Sequence, residues 1–247
     1  MKKIIVFIFN FFGLEIRRKP SVDLLYNYSR NEQMIQGLKR CKQRGITINT
    51  IIDVGAAAGS WSLSALEFWP SSNYILFEPL VERKNELEQL SLKNKNFHFI
   101  PAAAGRERGQ VSFEVASDLD GSGISDVTIG DSIRTVEVTP IDVEVEKLQV
   151  KGPFIVKLDT HGFEIPILEG CSKIWNDVSL FIIECYGFHI AKESLLFWEM
   201  CQYMQSKGFR LVDIVDIMNR PTDGAFWQCD AFFMNSTNQV FESNSYS

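Results

Sequence analysis

From residue 49 onward, short apolar runs alternate with longer segments in which apolar residues recur every three or four positions. That alternation is the pattern of a parallel sheet covered by helices. Strands are expected at 50–54, 74–77, 97–101, 154–158, 180–184, 211–214 and 231–234. Helices are expected at 60–68, 82–92, 163–171 and 192–207, with Pro70 and Gly208 as turn signals, and a further helical element at 22–44. One stretch departs from the alternation. Residues 110–116 and 133–139 alternate like exposed strands, and they flank a segment rich in Gly, Ser and Asp at 117–132. This predicts a hairpin with a mobile tip, either a solvated loop or a lid near the active face. The polar residues 236–247 are expected to fray.

The first residues read differently. Lys2 and Lys3 precede apolar runs at 4–9 and 11–14, and the basic cluster Arg17, Arg18, Lys19 follows. Spanning a bilayer takes about 20 apolar residues, so this run is too short to cross alone. Two lysines before a short apolar stretch match the opening of a secretory signal, but no A-x-A-like site follows. A shallow interfacial anchor and a helix packed on the body or on a partner chain both remain open. The chain is therefore divided into a basic and apolar leader with a helical cap (1–45), a main domain (46–235) and a polar tail (236–247).

Charge sharpens that division. The net charge is −6, yet residues 1–50 carry ten Lys/Arg and three Asp/Glu, leaving 15 basic and 28 acidic residues for the rest. An acidic body repels a phosphate backbone, so nucleic acid is not an expected partner, while the basic end suits an anionic lipid surface. At 247 residues and 45% hydrophobic, the chain is an ordinary globular protein. Cys41, Cys171, Cys185, Cys201 and Cys229 are scattered and form no C-x-x-C pair, which fits a reducing cytosol, with a peripheral position on the inner membrane face as the variant of that expectation.

The strongest local signal is at 51–59, I-I-D-V-G-A-A-A-G, a buried strand entering a turn of small residues before a helix. Small side chains let a ligand approach the backbone, and a helix N-terminus presents free N–H groups to it. It is not the dinucleotide fingerprint, because Ala57 and Ser60 stand where G-x-G-x-x-G needs glycine. Glu78, in F-E-P, ends the next strand 23 residues after Gly55, near the spacing at which an acid accepts hydrogen bonds from ribose hydroxyls. A third strand ends in K-L-D-T-H-G-F-E, placing Asp159 and His161 at its carboxyl end, and the next ends near Glu184 and His189. Ligands of open parallel sheets sit beyond such ends.

D-V-G-A-x-x-G, then F-E-P, then K-x-D-x-x-G-x-E followed by I-L-x-G resemble, in order and spacing, the FkbM-type family of S-adenosylmethionine-dependent methyltransferases over residues 46–235. The resemblance implies a class I methyltransferase fold: an α/β Rossmann-like sheet, mostly parallel, with an antiparallel last strand and helices on both faces. It also implies O-methylation of a sugar, glycan or polyketide hydroxyl. Asp53, Gly55, Ala56 and Gly59 would line the methionine side of the cofactor, Glu78 the ribose, and Ala103 with Ala104 the adenine edge. The chain departs from the family at two positions, with Ala57 where Asn is common and His161 where Glu is common.

In-line methyl transfer requires an aligned acceptor and a base for its proton. A neutral His161 is the leading base, Asp159 positions it or the acceptor, and Glu184 and His189 bind the acceptor or substitute as bases. The same four side chains are also of the kind that ligate a divalent ion, although no metal is assigned. Two other readings stay in view: a nucleotide-dependent oxidoreductase or epimerase, for which Tyr203 and Lys207 have the Tyr-x-x-x-Lys spacing, and a noncatalytic nucleoside-binding or membrane-tethered protein with a degenerate pocket.

Overall fold

The computed structural model describes residues 22–246, with side chains from residue 32, so the readings of residues 1–19 lie outside the described residues. The chain runs α1 (Val22–Gln43), β1 (Thr50–Val54), α2 (Ser60–Leu66), β2 (Asn73–Phe77), α3 (Val81–Lys93) and β3 (Phe97–Ile100). A small-sheet excursion follows, with β4 (Ala103–Ala104), β5 (Gly109–Glu114), β6 (Gly123–Ile124) and β7 (Ile133–Thr139). The main sheet then resumes through α4 (Ile141–Leu148), β8 (Phe154–Leu158), α5 (Glu164–Glu169), β9 (Val178–Tyr186), α6 (Phe197–Ser206), β10 (Phe209–Asn219) and β11 (Phe226–Asn235).

Seven strands form the main sheet in the order β10-β11-β9-β8-β1-β2-β3. β1 pairs in parallel with both β2 and β8, and β8 with β9. Only β11 runs against its neighbours, inserted between β9 and β10. This is an α/β Rossmann-like sheet, mostly parallel with an antiparallel last strand, as expected. Strand order reverses between β1 and β8, and a crevice therefore opens above their carboxyl ends.

Every residue of β1 and β8 is buried, as a sheet covered on both faces requires. Alternate residues feed two cores. Ile52, Val156 and Phe181 pack with Ile141 of α4, Ile167 of α5 and Met204 of α6. Ile51, Ile155 and Phe232 pack on the other face with Leu38 of α1, Ala65 of α2 and Leu87 of α3. Among the described residues, each face thus carries three helices.

Several expected elements differ from those observed. α4 was not expected, because I-D-V-E-V-E alternates with the period of a strand. Pro140 stands just before its first turn, and Ile141 and Val145, one helical turn apart, are both buried. The helix expected at 192–207 begins only at Phe197, where Leu196 N–H is accepted by the Glu199 carboxylate at 2.8 Å. The expected hairpin forms as β5 and β7, and its tip adds the short strand β6. The tail is less frayed than expected, since a short 3-10 turn at Gln239–Phe241 places Phe241 under the Arg210 guanidinium, 4.2 Å from the ring centroid. All five cysteines are free thiols, and no described helix is long and apolar enough to cross a membrane.

Candidate active site

The turn after β1 is tied to its neighbours by backbone. Gly55 N–H and Ala56 N–H both donate to the carbonyl of Phe77 at the end of β2, at 3.1 and 3.0 Å. Gly55 has φ +77, and a Cβ there would lie 2.0 Å from the Asp159 carbonyl oxygen. Only glycine fits. Gly55→Ala is expected to cost about 2–3 kcal/mol of stability, from overpacking and a left-handed backbone together. An unchanged urea midpoint would show that the β1 and β8 ends separate freely.

A cavity of ≈ 430 Å³ opens above this turn. Gly55, Ala56, Glu78, Ala103 and Ala104 line it, and so do Asp159 and His161. Asp53 and Gly59 do not reach its wall. Asp53 is fully buried beneath it, accepting from Ser62 Oγ at 2.7 Å, and burial pushes its carboxyl above the usual range. At Gly59 a Cβ would meet Leu90 Cδ1 at 2.4 Å, so its smallness serves packing of the turn against α3.

Glu78 is 5% exposed, and its two oxygens accept from Ala57 N–H and Leu80 N–H, each at 2.9 Å. Burial raises its pKa, while these two N–H groups oppose the shift. A carboxylate offers about four lone-pair sites, so Glu78 retains acceptors for a diol. Ala57 itself has φ +46, a conformation that the family's common Asn tolerates better than alanine does.

Beyond the carboxyl end of β8 lies a charged cluster that the sequence only partly disclosed. Lys157, 4% exposed, sets its Nζ 3.0 Å from Asp159 Oδ2 and 3.5 Å from Asp53 Oδ1. Burial works against the Lys157 charge, but Asp159, Asp53 and Asp230 together raise its pKa. Burial likewise opposes ionisation of Asp159, yet Lys157 and His161 hold that carboxyl at about 2. Glu184 is buried on β9, receives hydrogen bonds from Tyr186 and Gln228, and is raised by burial and by Asp159.

His161 corrects the expectation of a neutral base. Burial alone would lower its pKa, but hydrogen bonding to Glu184 and the charges of Glu184 and Asp159 lift it to about 9. Its Nδ1 lies 2.7 Å from the Tyr186 hydroxyl and 3.2 Å from Glu184 Oε2, and its Nε2 lies 2.8 Å from the Asp120 carbonyl. The resting imidazole is therefore a cation at neutral pH. Glu184 stands behind His161 rather than on the cavity wall. His189 is exposed, after the bend at 187–188 that follows β9, with Nδ1 3.0 Å from the Ser194 carbonyl. It is not part of this cluster.

The hairpin tip covers the cavity. Leu119, Asp120, Ser122, Gly123 and Ile124 all line it. Asp120 Oδ1 pairs with Arg83 at 2.7 Å while its carbonyl meets His161, so one residue bridges the Glu78 side and the His161 side. Arg134 of β7 adds a second clasp to Glu82 of α3 at 2.6 Å. Of the two readings of residues 117–132, the tip takes the position of a lid.

The methyltransferase FkbM domain model matches residues 53–211, which is most of the chain. The chain belongs to the FkbM methyltransferase family. It is accordingly an S-adenosylmethionine-dependent methyltransferase. No curated protein matches its sequence. Among solved structures, a 1,6-didemethyltoxoflavin-N1-methyltransferase from Burkholderia thailandensis is 9% identical, covering 89% of this chain and 93% of that one, with a TM-score of 0.46. A SAM-dependent methyltransferase from Aquifex aeolicus is 14% identical, covering 88% and 100%, with a TM-score of 0.45. The precorrin-6y C5,15-methyltransferase of Geobacter metallireducens is 9% identical, covering 83% and 87%, with a TM-score of 0.44.

The methyltransferase's cavity fits S-adenosylmethionine on its own chemistry. Trp61 Nε1 and Arg83 Nε are buried without a hydrogen-bond partner, and both residues line the wall. Such orphaned donors call for a polar ligand. Asp159, His161 and Glu184 also bring one ligand atom each within 4.8 Å of one another. All three already have partners in Lys157, Asp120 and Gln228. Tyr203 and Lys207, by contrast, do not line the cavity; Lys207 Nζ lies 5.4 Å above the Tyr203 ring at the end of α6.

Proposed function

We propose that this methyltransferase acts on a hydroxyl of a sugar, glycan or related natural product. The observation that carries the reading is the shared cavity wall of Asp159, Thr160 and His161, three side chains suited to grip and deprotonate a hydroxyl, opposite Glu78. An alcohol is a poor nucleophile until its proton is taken as the new bond forms. Bound S-adenosylmethionine supplies an activated methyl group on a sulfonium. In this assignment Glu78 accepts from the ribose hydroxyls, Ala103 and Ala104 leave room for the adenine edge, and Gly55 and Ala56 let the methionine portion approach the backbone. Asp159, with 35% of its side chain exposed, orients the acceptor. His161 receives the proton, and the lid excludes water from the transfer.

The experiment has two arms. Calorimetry with S-adenosylmethionine should show binding that Glu78→Ala weakens by about 1.5–3 kcal/mol, the range for hydrogen bonds to a charged group. Equal affinity in the variant would overturn the pocket assignment. Labelled S-adenosylmethionine with a panel of sugars and glycans should yield a labelled ether. Transfer confined to amine or carbon acceptors would overturn the hydroxyl assignment.

A further inference from the structure

We propose that Tyr186 is the positioning residue of His161: its hydroxyl, braced by Glu184, fixes the ring proton on Nδ1 and leaves Nε2 as the atom that takes the acceptor's proton. The inference rests on the reading of His161 as the base and goes beyond it, since it concerns which nitrogen is basic and what makes it so.

The donors and acceptors decide the arrangement. Glu184 Oε1 receives the Gln228 amide, and Glu184 Oε2 receives the Tyr186 hydroxyl hydrogen. Having donated to Glu184, the Tyr186 oxygen, 2.7 Å from Nδ1, is left only as an acceptor there, and Glu184 Oε2 at 3.2 Å is a second, longer acceptor. Nδ1 must then carry a hydrogen. On the other side, the Asp120 carbonyl is an acceptor only, so Nε2 also carries a hydrogen while the lid is in place. Both nitrogens donate, and the ring is an imidazolium.

Loss of one proton has two outcomes. Removing it from Nδ1 would reverse the Tyr186 hydroxyl and strip the buried Glu184 carboxylate of a donor. Removing it from Nε2 sacrifices one hydrogen bond to a neutral carbonyl. Charge-assisted hydrogen bonds are roughly twice as strong as neutral ones, so the Nδ1–H tautomer prevails once the Asp120 carbonyl is withdrawn. The lid residue and the acceptor then compete for one position: a hydroxyl replacing the carbonyl meets a lone pair on Nε2. When the acceptor O–H bond breaks, its proton forms the Nε2–H bond, and the oxygen bonds to the methyl carbon as that carbon's bond to the sulfonium sulfur breaks and the sulfur leaves as a neutral thioether. The surroundings favour the charge that results. Lys157 of β8, Asp159 just after it, Glu184 of β9, Asp230 of β11 and Glu164 of α5 face this network, and all but Lys157 are acids.

Tyr186 escaped sequence analysis because an aromatic residue ending an apolar strand is indistinguishable there from core. It is 3% exposed, and its ring does meet Trp227 edge-on at 5.9 Å, so a packing role alone has to be separated from positioning. The tautomer does so. With three histidines in the chain, the ring of His161 is assignable by long-range nitrogen–proton NMR, using His161→Gln to identify its signals. Above the titration midpoint the wild-type ring should be mainly Nδ1–H, and Tyr186→Phe, which leaves Nδ1 only the longer 3.2 Å contact to Glu184, should raise its Nε2–H share measurably while S-adenosylmethionine affinity stays within about twofold. Glu184→Gln should lower the midpoint by at least one pH unit, which keeps the test decisive if Tyr186→Phe folds poorly. A wild-type ring that is mainly Nε2–H, or a tautomer unmoved by Tyr186→Phe, overturns the proposal. None of these readouts needs the acceptor, so they stand apart from failure of the hydroxyl assignment, which the labelled-transfer assay alone reports.

Discussion

Lys157→Met is expected to lower folding stability at neutral pH by about 3–5 kcal/mol, the usual cost of removing one partner of a buried ion pair. Methionine preserves the stem and its packing against Trp61, whose ring lies 5.5 Å from Nζ. What disappears is the charge. Asp53 is fully buried, and its Oδ1 has no hydrogen-bond partner, so the ammonium at 3.5 Å is its compensation. Asp159 loses the nearer contact, at 3.0 Å. The pH dependence gives the sign. In the wild type Asp159 is held at about 2, below its ordinary 3.8, so its contribution is present above 3.8 and is lost as pH falls through about 2. Without the cation both carboxyls shift upward, and mild acid should partly restore the variant by protonating them. Urea unfolding at pH 7 and pH 5 tests this. A loss under 1 kcal/mol at pH 7, or a deficit that does not shrink at pH 5, would remove Lys157 from this role.

The two central strands were legible because burial on both faces makes them continuous apolar runs, and β8 ends where the apolar run gives way to Asp159. The turn after β1 was legible because small residues there answer a local demand, a close approach of backbone at Gly55. Other features depend on contacts that no local pattern encodes. Lys157 sits mid-motif, and its partner Asp53 comes from a strand about a hundred residues earlier. Asp53 on β1 and Gly59 before α2 lie within a few residues of Gly55, yet one points beneath the cavity and the other into α3, because their direction depends on β2, β8 and α3. α4 was missed because its acidic positions alternate with its apolar ones. His161 was placed correctly beyond a strand end, but its charge state was not, since Glu184 and Tyr186 come from the next strand and Asp120 from the hairpin tip.

That charge state shapes the remaining large effect. His161→Ala should reduce methyl transfer by about two to four powers of ten, the worth of general base catalysis, with little change in cofactor affinity. The sign of the pH profile follows from a folded pKa of about 9. Below it the ring is an imidazolium and has no lone pair to offer, so the wild-type rate should climb toward pH 9 rather than level off near the ordinary histidine value of about 6.5. Stability should move the opposite way. A raised pKa contributes stability fully below about 6.5 and loses it as pH rises through 9, so the wild type should soften over the interval in which it becomes faster, and His161→Ala should show neither change. Glu184, 3.2 Å from Nδ1, is among the groups that raise this midpoint. Withdrawal of the Asp120 carbonyl removes one acceptor that favours the imidazolium, so Asp120→Ala, which unclasps Arg83, should shift the midpoint of the rate profile to lower pH. Single-turnover rates over pH 6 to 10, on whichever acceptor the labelled-transfer panel identifies, measure all of this. A rate already flat above pH 7, or a His161→Ala enzyme within tenfold of wild type, would take the proton away from His161 and assign it to Asp159, the other ionisable side chain beside it on the cavity wall.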